Sequence, residues 1–183
     1  MYLEKANEHS KIIIDRLNRF AEIIEVTGEH RRGLQEVREL DFIMVLKDDM
    51  HKEFNELLLR LRALNIGMLV SNRTAHKTVM WKEASGLFIP SNIYIGNRSN
   101  YGCMKLLTTG TTHFNKYILD KWKKVTGGYH GGYGAVGRDY KGTRLDEYLR
   151  NKNGDVVDIY NEEEIFKRIG LDYIEPKKRS EWI

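Results

Sequence analysis

The 183-residue sequence predicts an α+β fold built as two successive domains, residues 1–97 and 98–183. Residues 40–46, LDFIMVL, place Leu40, Phe42, Met44 and Leu46 on one face of a strand and Ile43 and Val45 on the other. A strand apolar on both sides belongs inside a layered domain, so a sheet with helices packed on it is expected. Leu3, Ala6, Ile13, Ile14, Leu17 and Phe20 recur at helical spacing before it, and Met50, Phe54, Leu57, Leu58, Leu61 and Leu64 after it. Between residues 97 and 102 the pattern passes from short strands to helices, which sets the domain boundary there.

The elements follow in order. Residues 2–20 form the first amphipathic helix, and 21–27, AEIIEVT, the first strand. Residues 28–46 read as a glycine turn, two arginines, a short polar helical turn and the two-faced strand. The second helix ends near Asn65 and Gly67. Strands are expected at 68–71, 78–82 and 87–95, with Pro90 marking an edge or bulge in the last. Helices are predicted over 101–108 and 111–124, the second capped by Thr111 or Thr112 after Gly110. The glycine-dense stretch 127–142 is a loop or a tight strand pair; Tyr129, His130, Tyr133 and Tyr140 within it suit either base stacking or an ordinary hairpin. Asn153-Gly154 makes a turn, and Asn161 caps a last helix running to Ile169.

Composition narrows the function classes. No apolar run is long enough to span a bilayer, and no secretory signal is evident. The single cysteine, Cys103, excludes an internal disulfide framework and a cysteine-built zinc cluster, and reads as a small buried hydrophobe in a reducing cytoplasm. A net charge of +4 is too mild to argue nucleic-acid binding by itself. Its distribution is more informative. Arg98, Lys105, Lys116, Lys121, Lys123 and Lys124 face only Asp120 over residues 98–124, so one helix side can meet a phosphate backbone or simply be solvated. His30, His113 and His130 read as surface histidines, His113 being the one beside a motif.

Glu39 and Asp41 lie two apart at the leading end of the central strand, so the pleat points both carboxylates to one side. They repel unless a cation lies between them, although such pairs are often solvated or paired with Lys or Arg. Just upstream, Gly28, Arg31, Arg32 and Gly33 offer backbone donors and positive charge suited to phosphate, or ordinary surface charge on a turn.

The order glycine turn, Arg-Arg-Gly, acid-x-acid strand resembles the palm of the family X DNA polymerases, the DNA polymerase beta group of nucleotidyltransferases. Residues 106–116, LLTTGTTHFNK, resemble the start of a thumb helix in that family, and 171–179, LDYIEPKKR, its closing segment. The three motifs span roughly residues 20–180, and the resemblance implies a minimal member with palm and thumb only. It further implies Mg²⁺ or Mn²⁺ held by Glu39, Asp41 and a third position that falls on Asn92. The triphosphate would meet Gly28, Arg32 and Gly33, the sugar Gly110 and Thr111, and the incoming base Asn115. Lys116, Lys121, Lys123 and Lys124 would lie toward gapped or primer–template DNA.

Four positions depart from the family pattern. Asn92 replaces the third carboxylate, Glu29 a phosphate-binding serine, Glu39 a shorter aspartate, and Leu107-Thr108 a pair of aromatics. The activity the resemblance implies is nucleotide addition from a dNTP to a DNA 3′-hydroxyl, as in gap filling and repair. The alternative is an impaired relative that binds DNA or nucleotide as an accessory, or a nucleotidyltransferase with another acceptor. By the same resemblance the protein is expected to be a monomer without a lyase region, like compact phage, viral or bacterial members. It would then act in a bacterial or host cytoplasm.

Overall fold

The computed structural model describes residues 1–131 and 148–182. Within it the chain divides into two compact units, Met1–Asn97 and Arg98–Ile183.

The first unit is a five-stranded mixed sheet in the order β1-β2-β5-β4-β3, with helices from the same unit packed on it. Its elements are α1 (Leu3–Leu17), β1 (Ala21–Val26), α2 (Gly28–Arg31), β2 (Leu40–Leu46), α3 (His51–Arg60), β3 (Gly67–Arg73), β4 (His76–Lys82) and β5 (Phe88–Gly96). β2 is the strand predicted from its two apolar faces. It lies between β1, antiparallel, and β5, parallel, and Leu40, Phe42, Ile43 and Met44 are fully buried. Ala6, Ile13 and Leu17 of α1 and Phe54 and Leu58 of α3 pack over it with Trp81 of β4. Each Ile, Leu or Phe among them contributes about 1.5–3 kcal/mol by leaving water.

Three local expectations are corrected. The helical turn lies on Gly28–Arg31 itself, not after the arginines: Thr27 leaves β1 with extended backbone and Gly28 turns the chain at φ 61°. α3 stops at Arg60, and the chain leaves through turns that end in a left-handed Asn65 (φ 55°). Pro90 is not on an edge strand, since β5 has neighbours on both sides. The β2 ladder starts only at Ser91, so beside Pro90 that flank of β5 is locally free of a strand and no ladder hydrogen bond is lost there.

The second unit holds α4 (Tyr101–Thr109), α5 (Thr112–Thr126), the short strands β6 (Tyr129–His130), β7 (Leu149–Arg150) and β8 (Val156–Val157), and α6 (Glu163–Arg168), before a closing 3₁₀ turn over Pro176–Glu181. β6, β7 and β8 form an antiparallel sheet. Part of the glycine-dense stretch thus pairs as strand; Tyr133 and Tyr140 lie outside the described residues. Asn161 caps the start of α6: its Oδ1 accepts from the Glu164 N–H at 3.1 Å, and its Nδ2 donates to Glu164 Oε1 at 2.8 Å. Cys103 is buried among Phe114, Ile118, Trp122, Leu149 and Phe166, as a small hydrophobe.

The core of this unit is closed from the C-terminal side by a charge. Arg179 is 0 % exposed and pairs with the equally buried Glu162 at 2.5 Å. Its Nε donates to the Ile174 carbonyl at 2.9 Å, and its guanidinium lies over Phe114, Phe166 and Tyr173. Tyr173 also donates to Glu162, so the arginine of the LDYIEPKKR segment fastens the chain end into the core.

Candidate functional site

In the first unit the parallel register sets Asp41 of β2 opposite Asn92 of β5, and the antiparallel register sets Thr78 of β4 opposite Asn92. Directly opposed residues share a face, and so do residues two apart. Asp41, Asn92, Thr78 and His76 therefore converge on one side of the sheet, and the charge of Glu39, just ahead of β2, acts on Asp41 and His76. Asn92 Nδ2 donates to Asp41 Oδ1 at 3.0 Å. Asn92 Oδ1 accepts from Thr78 Oγ1 at 3.3 Å and lies 3.0 Å from His76 Nε2. An amide oxygen only accepts, which assigns the proton to His76 Nε2. Both lone-pair directions of the Asn92 oxygen are thus engaged, and its N–H side faces the acid. His76 in turn stacks on Tyr94 at 4.8 Å between ring centroids.

Asp41 is the electrostatic centre of this group. Burial first, then the neighbouring charges of Glu39 and Glu29, push its carboxyl up to about 7 against the opposing pull of the Asn92 hydrogen bond and Arg32. Gly28 presses on the same side chain. A Cβ there would sit 2.0 Å from Asp41 Oδ2, and φ 61° independently favours glycine. The turn and the acid are thus one structural unit. Arg32 caps α2, and its charge acts on both Asp41 and Glu29; Gly33 completes the turn at φ 71°. Glu39 is exposed just ahead of β2.

Glu29, the residue after the first glycine of the turn, is held by Arg38. The Arg38 N–H donates to its Oε2 at 2.9 Å, Arg38 Nε to Oε1 at 2.8 Å, and Nη2 lies 2.6 Å from Oε1. Burial raises the Glu29 carboxyl, but these hydrogen bonds and charges outweigh it and hold it below its ordinary value. His30 is not a surface histidine. It is buried in α2 against α1, with Nε2 2.6 Å from Asn7 Oδ1, and desolvation holds its pKa down.

In the second unit Gly110, Thr111 and Asn115 also come together. Thr111 caps α5 by accepting from the Phe114 N–H at 3.1 Å and donates to the Trp182 carbonyl at 2.9 Å. Asn115 is 1 % exposed, and its Nδ2 donates to the Leu107 carbonyl at 2.7 Å, so it braces the α4–α5 junction from inside. A Cβ on Gly110 would lie 2.1 Å from Asn115 Oδ1. Lys116, Lys123 and Lys124 are exposed on the side of α5 away from its buried Phe114, Ile118 and Trp122, while Lys121 lies over the Tyr117 ring at 5.6 Å. His113 is exposed; His130 is partly buried, and desolvation pushes its pKa down to about 4.

Sequence reasoning missed His76, Thr78 and Arg38. The alternation in HKTVMWK puts His76 and Thr78 on one face, but only the strand order shows that this face meets Asn92. Among the described residues no group of three or more His, Cys, Asp or Glu could hold a metal ion. No helix among them is long and apolar enough to cross a membrane. Comparison with curated proteins gave no match. Residues 138–180 match the family model described as DNA polymerase beta thumb. That match, over a segment that includes the buried Arg179, supports a relationship to the family X-like DNA polymerases.

Proposed function

We propose that the protein is a nucleotidyltransferase of the polymerase X-like kind, joining a nucleotide from a dNTP to a DNA 3′-hydroxyl at a gap or primer–template end. The observation that carries this reading is the Asp41–Asn92 pairing across β2 and β5 beside the Gly28 turn, in a chain with a polymerase thumb match. In this reaction the 3′-oxygen bonds to the α-phosphorus, pyrophosphate leaves, and the hydroxyl proton is lost. Arg32 and the turn from Gly28 to Gly33 would receive the triphosphate, and the lysine side of α5 the DNA backbone. Asn115, buried inside the second unit, would hold Gly110 and Thr111 in place and not reach a base.

The donor set fits one divalent ion in part. The charge of Glu39 raises the cost of ionising Asp41, and a cation between them would relieve it. Asn92 does not fit as a ligand in its present orientation, because it turns N–H toward that space. Bound by Glu39 and Asp41, Mg²⁺ or Mn²⁺ would screen phosphate charge. The Asn92 geometry favours a second reading, an impaired relative that binds DNA or nucleotide without turning over.

Extension of gapped DNA with dNTPs and Mg²⁺ or Mn²⁺ separates the two. Incorporation by the wild type, lost in Asp41→Asn, supports the enzyme. Salt-dependent DNA binding with no incorporation, and none gained in Asn92→Asp, supports the accessory. Replacing Lys116, Lys123 and Lys124 by Gln should then reduce the salt slope of DNA binding by roughly one per lost phosphate contact.

A further inference from the structure

The Arg38–Glu29 contact differs from the other exposed ion pairs of the first unit. Three donors of one residue, its backbone N–H, Nε and Nη2, converge on both oxygens of one carboxylate at 2.6–2.9 Å. This is how a protein binds a free oxyanion: a backbone amide and a guanidinium edge closing on two oxygens. Here the anion is the chain's own. Glu29 sits on α2 immediately after Gly28, and its side chain is largely shielded (14 % exposed), whereas that of Arg38 is 87 % exposed. The Arg32 charge acts on the same carboxylate. The carboxylate therefore stands in the positive field of the turn, within reach of the Arg38 donors, where an incoming phosphate would have to find its partners.

We propose that Glu29 is a built-in competitor for the phosphate groups of the nucleotide: it fills the anion site made by Arg38, and a triphosphate binds by displacing it. This inference rests on the nucleotidyltransferase reading above and names a determinant of affinity at that site. It explains how an acid can follow the first glycine of a phosphate-type turn without leaving a bare negative charge there. The arginine satisfies the acid in the resting state and passes to phosphate when one arrives. Nucleotide affinity is thereby held down, because each binding event must first break a charge-assisted contact.

The test is titration calorimetry of the full chain with inorganic triphosphate and with dATP, each with Mg²⁺, for the wild type, Glu29→Ser, Glu29→Gln, Arg38→Gln and the double variant Glu29→Ser/Arg38→Gln. Glu53→Gln, on the exposed side of α3, controls for the same change in net charge. Circular dichroism melts establish that each variant is folded, and the glutamine variant keeps the side-chain shape should serine unsettle the turn. The expected result is binding at least about tenfold tighter in both Glu29 variants, no gain in Glu53→Gln, and loss of the gain when Arg38 is also replaced. Equal or weaker binding by folded Glu29 variants, while the wild type binds, overturns the competitor role and leaves the nucleotidyltransferase reading standing. Failure of the wild type and both Glu29 variants to bind either probe overturns both. A gain that Glu53→Gln reproduces shows net charge alone and overturns the competitor role.

Discussion

Replacing Asp41 by Asn should stabilise the fold, and more so as pH rises. The carboxyl has an ordinary value of 3.8 and is pushed up to about 7 in the folded protein, chiefly by burial. A raised carboxyl pKa means that the folded state holds its proton where the unfolded state has lost it. Between about pH 4 and 7 the unfolded chain thus binds fewer protons, and unfolding free energy falls as pH rises. Below that window both states are protonated and nothing is lost; above it the penalty is complete, on the order of 4 kcal/mol at most. The substituted amide would keep an oxygen for the Asn92 Nδ2 donor and carry no charge to desolvate. Urea unfolding with a metal chelator present, at about pH 5 and about pH 8, reads the effect. The variant should gain more at the higher pH, by about 2–3 kcal/mol over its gain at the lower one. In the wild type, Mg²⁺ should recover part of the lost stability at about pH 8, and in the variant it should not. A destabilised variant at about pH 8, or a gain that does not change with pH, would refute the claim that Asp41 is ionised at a structural cost.

Asn92→Asp sets a second carboxylate where an N–H now meets Asp41 at 3.0 Å, so the metal-free variant should melt lower than the wild type and regain stability with Mg²⁺ in thermal scans. Arg179→Met removes the partner of a buried carboxylate and should cost the second unit about 3–5 kcal/mol, read by calorimetry. Adding Glu162→Gln should return part of that loss, because no bare charge then stays buried. Gly28→Ala meets both an unfavourable φ and the Asp41 carboxylate, and should cost about 2 kcal/mol or more in urea unfolding while blunting the Mg²⁺ response.

Much of this was legible from local pattern. Period-two alternation marked residues 40–46 as a strand buried on both faces, whereas its lateral neighbours β1 and β5 were fixed by the pairing of distant segments. Thr111 and Asn161 were readable as caps because a side-chain oxygen three residues before a free N–H is a local device. Pro90 shows the limit. Proline forbids a ladder bond on one flank, but which flank has a strand, and from which residue, depends on the register of β2.

The sequence by itself determined the residue types of the candidate site, the turn that begins it and the two-faced strand that carries Asp41, since these follow from neighbours in the chain. Tertiary structure alone decided the hydrogen-bonding state of those residues. His76 and Thr78 reach Asn92 from another strand, and Asp41 is raised by burial that no composition specifies. Arg179 is an internal strut and not a surface cation because Glu162 and three aromatic rings close around it. Desolvation and long-range pairing belong to the folded chain as a whole, and a string of residues carries them only after strand order is set.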